Sequence, residues 1–125
     1  MTARDKILVV DDEVQVRNIT ELMLSQFGFE VITARDGHDA LAILDQRVEE
    51  VGLVLMDLSM PRLSGEETFS RMRESHTHLK VVFTSGYDPS EVGSALDGEG
   101  VQGFLKKPFE LETLLSTVRR VLSPS

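Results

Sequence analysis

Two kinds of apolar pattern alternate along this chain. The unbroken runs Ile7–Val10 and Leu53–Met56 read as strands buried on both faces, because a strand with one wet face would alternate. Glu30–Ala34, Val81–Phe83 and the brief Phe104-Leu105 add three more strands. Longer segments with helical spacing lie between them. Val14, Ile19, Leu22, Met23 and Phe27 form one stripe that Gly28 closes, and Ala40, Leu41, Ile43 and Leu44 mark a second helix after Asp36-Gly37. Ser64-Gly65-Glu66-Glu67 has the spacing of a capping box and starts a third. A weaker helix is expected from Pro89 to Leu96, where Gly93 costs about 1 kcal/mol relative to Ala. The last helix is the clearest, with Leu111, Leu114, Leu115, Val118, Val121 and Leu122 on one stripe.

Strands that alternate with helices in this way predict an α/β fold in one domain, residues 1–125, without repeats or linkers. Apolar strands joined by helical crossovers imply a parallel sheet covered on both faces. Such sheets bind ligands beyond the C-terminal ends of their strands, near the topological switch point. That is where chemistry should be sought.

Composition narrows the reading. Thirteen Lys and Arg against twenty-one Asp and Glu leave a net charge of −8, which argues against nucleic-acid binding through the overall field. The absence of cysteine excludes disulfides, thiolate nucleophiles and Cys-based zinc sites. No apolar run approaches the roughly 20 residues that span a bilayer, and Met1 to Lys6 leads into no signal-peptide core, so a cytoplasmic protein is the simplest reading.

Polar residues gather at the predicted strand ends: Asp11-Asp12, Asp57, Thr84-Ser85 and, after the fifth strand, Lys106-Lys107-Pro108. Each has an ordinary explanation. Asp12 or Glu13 could cap the first helix, Asp57 could be a loop carboxylate, Ser85 could serve a Ser-Gly turn, and Lys107 could be solvated. Jointly these explanations weaken. Carboxylates that converge on one edge repel unless a cation resides there. Hard oxygen ligands suit Mg²⁺, a lysine opposite them adds fixed positive charge, and a small hydroxyl can donate to a phosphoryl oxygen. These are the parts that phosphoryl transfer uses.

The set Val9-Val10-Asp11-Asp12-Glu13, Leu55-Met56-Asp57-Leu58-Ser59-Met60-Pro61, Gly65, Thr84-Ser85-Gly86 and Lys107-Pro108-Phe109 resembles the receiver domain of two-component response regulators, in order and over essentially the whole chain. The resemblance implies a flavodoxin-like doubly wound fold with strand order 2-1-3-4-5. It implies a phosphoacceptor regulatory domain, not an enzyme acting on other molecules. Asp57 would take a phosphoryl group from a phosphohistidine of a histidine kinase or histidine phosphotransfer domain. Mg²⁺, or Mn²⁺ in its place, would be held by Asp12, Asp57 and the Ser59 backbone carbonyl, with Asp11 acting through water. Ser85 and Lys107, rather than Lys106, would contact the phosphoryl oxygens, across a Lys107-Pro108 bond that is typically cis. Ser85 and Phe104 would form the switch, although Phe104 reads equally as a permanent core ring. Ser59 and Tyr87 flank the site at positions that tune acyl-phosphate lifetime. Phe83-Thr84-Ser85-Gly86-Tyr87 and the Gly103 to Phe109 segment look most like receivers of hybrid sensor kinases, with a stand-alone regulator as the alternative; the output domain or partner is not specified.

Other classes fit less well. A haloacid-dehalogenase-type phosphatase wants a second aspartate two residues after the nucleophile, where this chain has Ser59. A flavodoxin-type cofactor binder wants a Gly-rich phosphate loop after the first strand, and none is present. A degenerate receiver that serves only for binding would not need the Asp12, Asp57, Ser85 and Lys107 set. The spacing of His76 and His78 would suit a metal pair, but without further ligands a solvated loop is expected, and the same holds for His38.

Overall fold

Strand β1 (Lys6–Val10) lies at the centre of the fold because its aliphatic side chains have nowhere else to go. Ile7 and Val9 point to one face and Leu8 and Val10 to the other, and all four are buried. Burial of each contributes about 1.5–3 kcal/mol. The computed structural model describes residues 5–88, 90 and 100–123. Around β1, strands β2 (Val31–Ala34), β3 (Val51–Asp57), β4 (Val81–Ser85) and β5 (Val101–Lys106) complete one sheet in the order β2-β1-β3-β4-β5. Every neighbouring pair is parallel. The order turns back between β1 and β3, which is the switch point where the fold builds sites.

Four helices and a short 3₁₀ turn are present among the described residues: α1 (Val14–Gln26), α2 (Gly37–Arg47), the turn Val48–Glu50, α3 (Gly65–Ser75) and α4 (Leu111–Leu122). The helix expected from Pro89 to Leu96 lies outside the described residues apart from Ser90. One core joins Leu8, Val10, Val54, Met56 and Phe83 to Ala40 and Leu44 of α2 and Met72 of α3. The other joins Ile7, Val9, Leu53, Leu55 and Val82 to Leu24 of α1 and Leu114, Leu115 and Val118 of α4. Helices therefore cover both faces, as the apolar strand runs require.

The helix ends follow the local sequence. Asp36 caps α2, its carboxylate accepting from Asp39 N at 2.8 Å. The Ser64–Glu67 capping box of α3 is complete in both directions, at 3.1 and 3.0 Å. Past the end of α1, Gly28 takes a positive φ of 92° and Phe29 N returns to Leu24 O, the glycine stop expected there.

Two expectations need correction. β5 is longer than Phe104-Leu105: it is the far edge of the sheet, so exposed Gln102 and Lys106 alternate into it and break the apolar run that would have announced it. The stripe read for α1 is the second. Val14, Ile19 and Leu22 are 54%, 54% and 55% exposed, and Phe27 is 46% exposed. The packed face runs instead through Thr20 and Leu24, four residues apart. Thr20 can be buried because its hydroxyl donates to Val16 O at 2.7 Å, leaving no polar group unsatisfied.

Candidate functional site

Four strand ends meet at the switch point. β1 passes into Asp11 and Asp12, β3 terminates on Asp57, β4 on Ser85, and β5 runs on into Lys107. Register fixes their neighbourhood, with Asp57 beside Thr84 and Ser85 beside Lys106. Leu58 N donates to Thr84 O at 2.9 Å, and Lys107 N donates to Ser85 O at 2.7 Å, so the loops after β3 and β5 are both tied to β4. The Lys107-Pro108 bond is cis.

Gly65 shapes the same corner. It opens α3 so near to β3 that a Cβ there would come within 2.3 Å of Asp57 O and 2.7 Å of Leu58 Cα. Close backbone approach is what calls for glycine at position 65.

Asp57 and Asp11 are almost fully buried, whereas Asp12 is exposed. Asp57 Oδ1 accepts from Ser59 N at 3.1 Å, and Asp57 Oδ2 lies 3.3 Å from Lys107 Nζ. Asp11 Oδ1 accepts from Glu13 N at 2.9 Å, and Asp11 Oδ2 lies 2.7 Å from the same ammonium. Glu13 Oε1 is 3.5 Å from it. Lys106 turns elsewhere, its Nζ reaching Gly86 O at 3.4 Å and Asp88 at 3.9 Å. Of the two lysines, then, Lys107 enters the site.

The capping explanation for the acidic pair does not survive. Glu13 is the N-cap residue of α1, and no side chain makes a capping hydrogen bond there. Asp12 is thus not spent on the helix. Ser85 is buried with its Oγ accepting from Tyr87 N at 3.0 Å, which leaves the hydroxyl hydrogen available. Phe104 is half-buried and packs against the core that contains Phe83.

Burial pushes the Asp57 carboxyl up to about 7, with Asp11 adding repulsion and Lys107 pulling the other way. Burial also works against the Lys107 charge, yet hydrogen bonding and attraction from Asp11 and Asp57 outweigh it, and its pKa stands above the ordinary value. The ammonium therefore stays charged while Asp57 is left short of positive charge. One carboxylate oxygen each from Asp11, Asp12 and Asp57 lies within 4.8 Å of the others. Three carboxylates drawn together, two of them sharing one lysine and all offering hard oxygen donors, fit a small divalent cation.

Beside this cluster runs a groove of about 630 Å³ whose walls include Val16, Ile19 and Met23 of α1, together with Tyr87 and Phe109, while Asp57 and Lys107 lie at its lining. The groove has no signal along the chain, because nothing in helical spacing says that Ile19 is left uncovered. The histidines play no part in the site. His38 and His78 are exposed. His76 departs from the expected solvated loop: it caps the C-terminus of α3, its side chain is only 14% exposed, and its Nε2 lies 3.8 Å from Asp45 Oδ1.

Comparison with known proteins identifies the family and the fold. Residues 7–119 match the response regulator receiver domain. The receiver domain of NtrX from Brucella abortus superposes with a TM-score of 0.86 at 36% identity, covering 96% of this chain and 100% of that one. The response regulator TrrA from Thermotoga maritima, solved in complex with Mg(2+)-BeF, superposes with a TM-score of 0.83 at 27% identity over 94% of this chain and 99% of that one. The sensor kinase CckA of Brucella abortus is 34% identical over 116 residues, 93% of this chain but 12% of the kinase. The chain likewise spans 50% of the transcriptional regulator CpxR of Klebsiella pneumoniae, at 34% identity over 97% of this chain.

Proposed function

We propose, for a chain that belongs to the response regulator receiver domain family of two-component signalling, that Asp57 is the residue that accepts the phosphoryl group. The observation that carries this reading is the shared ammonium of Lys107, 2.7 Å from Asp11 and 3.3 Å from Asp57, with Asp57 and Lys107 both lining the groove. It fixes positive charge beside the one buried carboxylate that terminates a central strand.

In the proposed step, a carboxylate oxygen of Asp57 attacks the phosphorus of a phosphohistidine on a kinase or phosphotransfer protein. The P–N bond breaks, its electron pair returns to the imidazole nitrogen, and an acyl phosphate remains on Asp57. Lys107 holds charge against the transferred oxygens, and the Ser85 hydroxyl, whose oxygen is already turned to Tyr87 N, donates to one of them. Asp12, Asp57 and the Ser59 carbonyl would hold Mg²⁺ or Mn²⁺, with Asp11 acting through water; the ion supplies neutralising charge for Asp57 and for the phosphoryl oxygens. Asp57 then carries about −1.5 to −2 in place of a single negative charge. Drawing Ser85 and Lys107 toward it would move the loop after β4, with Phe104 following, and that change is what an output partner or attached domain reads.

The exposed apolar side of α1 and the groove beside it suit the donor protein, since they put an uncovered hydrophobic surface next to the acceptor. No described helix is long and apolar enough to cross a membrane. The same reading expects a cytoplasmic location, one receiver unit over residues 1–125, no direct nucleic-acid contact, and no turnover of an external substrate. A sensor kinase and a transcriptional regulatory protein are both among its relatives.

The test is incubation with Mg²⁺ and acetyl phosphate, followed by intact-mass measurement. Wild type should gain one phosphoryl group, and Asp57→Asn or removal of the metal with EDTA should abolish the gain. Labelling of Asp57→Asn at the wild-type rate sinks the assignment, and steady hydrolysis of an added phosphoester would favour a phosphatase.

A further inference from the structure

The backbone of the acidic loop is held by a residue with no place in the chemistry above. Arg17, half-buried at the end of the first turn of α1, donates from Nη1 to Asp11 O at 2.7 Å. A guanidinium bond of that length is charge-assisted and stronger than a neutral one. Asp11 O is the carbonyl of the Asp11–Asp12 peptide, so its direction and that of Asp12 N are fixed together by the planarity of the bond. Every other acceptor on Asp11 is also engaged, one carboxylate oxygen by Glu13 N and the other by Lys107. Asp12 differs. Its carboxylate is exposed and makes no hydrogen bond among the described residues.

We infer that Arg17 is a positioning residue for Asp12: by clamping the Asp11 carbonyl it presets the peptide from which the Asp12 carboxylate projects toward Asp11 and Asp57. The inference rests on the proposed cation site. Three features support a role beyond joining α1 to β1. The bond goes to a carbonyl past the end of the strand, where no sheet partner competes for it. No carboxylate pairs with the guanidinium among the described residues, so its donors are not explained by an ion pair. And α1 lacks a side-chain cap, so the loop before it has no other tether of that kind. Groups that orient metal ligands from behind typically carry about 10–100-fold in metal affinity.

The experiment measures Mg²⁺ affinity calorimetrically on the 125-residue chain as wild type, Asp12→Ala, Arg17→Met, Arg17→Gln and Arg17→Lys, together with amide chemical shifts in the metal-free protein. Methionine keeps a long stem and helix propensity but removes the donors. Arg17→Met and Arg17→Gln should weaken Mg²⁺ binding about tenfold and shift the Asp12 amide resonance before any metal is added. Arg17→Lys, which retains a charged donor, should recover most of the affinity. At saturating Mg²⁺ the labelling rate from acetyl phosphate should return to that of wild type, because Arg17 touches no reacting atom. Wild-type affinity in the Met and Gln variants, or in whichever of them folds, overturns the role of Arg17. Wild type that binds no Mg²⁺, or Asp12→Ala that binds it normally, overturns the cation site itself, and the two failures are distinct.

Discussion

Helices α1 and α4 lie on the same face of the sheet and contribute to the same core, yet they use their apolar residues in opposite ways. In α4 the stripe and the packed face coincide: Leu114, Leu115, Val118 and Val121 are all buried. In α1 only Leu24 among the aliphatic residues is fully buried, the companion buried position is Thr20, and Val14, Ile19 and Leu22 face outward. A helix that gives its apolar side chains to the core serves stability. One that holds them back leaves a surface for something else to cover. The uncovered side of α1 borders the groove that Asp57 and Lys107 also line, as the docking proposed above for the phosphoryl donor requires.

The largest test of this contrast is truncation on each helix. Leu114 is fully buried, so Leu114→Ala should cost about 2–5 kcal/mol in the urea unfolding free energy. Leu22→Ala should change stability by no more than about 0.5 kcal/mol. The order reverses in phosphotransfer: Leu22→Ala combined with Ile19→Ala should slow transfer from a phosphohistidine protein while leaving labelling by acetyl phosphate unchanged. Equal slowing with both donors would mean that α1 affects the chemistry, not the docking.

The next effect is smaller and concerns how both faces meet at the acceptor. Gly65→Ala would force a Cβ against Asp57 O and Leu58 Cα, which are backbone atoms with little freedom to yield. Overpacking of this kind costs about 1–3 kcal/mol. Because the displaced atoms belong to Asp57 and its neighbour, the variant should also label more slowly with acetyl phosphate, which a core truncation such as Leu114→Ala should not cause in the folded fraction.

The same contrast explains what the sequence made legible. β1 and β3 announced themselves because strands buried on both faces have unbroken apolar runs, and Asp57 stood out as the charge that ends one. The capping box and the α4 stripe are local patterns with local causes, and they appear as read. The stripe expected for α1 differs from its packed face because helical spacing identifies apolar residues without saying which surface will cover them. Thr20 was invisible for the complementary reason: its hydroxyl is satisfied within its own helix, so a polar letter occupies a core position. Edge strand β5 was shortened by its exposed alternate residues. The roles of Gly65 and Arg17 depend on approaches across the fold, of α3 to β3 and of a helix to the end of a strand, that no spacing along the chain encodes.

The smallest expected effect separates helices by their starts. Asp36 caps α2 and Glu67 completes the box of α3, whereas α1 has no side-chain cap. The hydrogen bond from the Ser64 backbone, then that with the Ser64 side chain, holds Glu67 below its ordinary value of 4.5. The Asp39 backbone bond, then Arg62, does the same for Asp36 below 3.8. Both folded-state pKa values are depressed, so the unfolded chain binds protons first as pH falls. The stabilisation from Glu67 is complete above pH 4.5 and is lost as pH drops through its lower folded value. Urea unfolding of wild type and Glu67→Gln from pH 6 to pH 3 should therefore show a modest wild-type advantage that is flat down to about pH 5 and shrinks below it. A difference that grew as the pH fell would mean that the Glu67 carboxylate is not what closes the box.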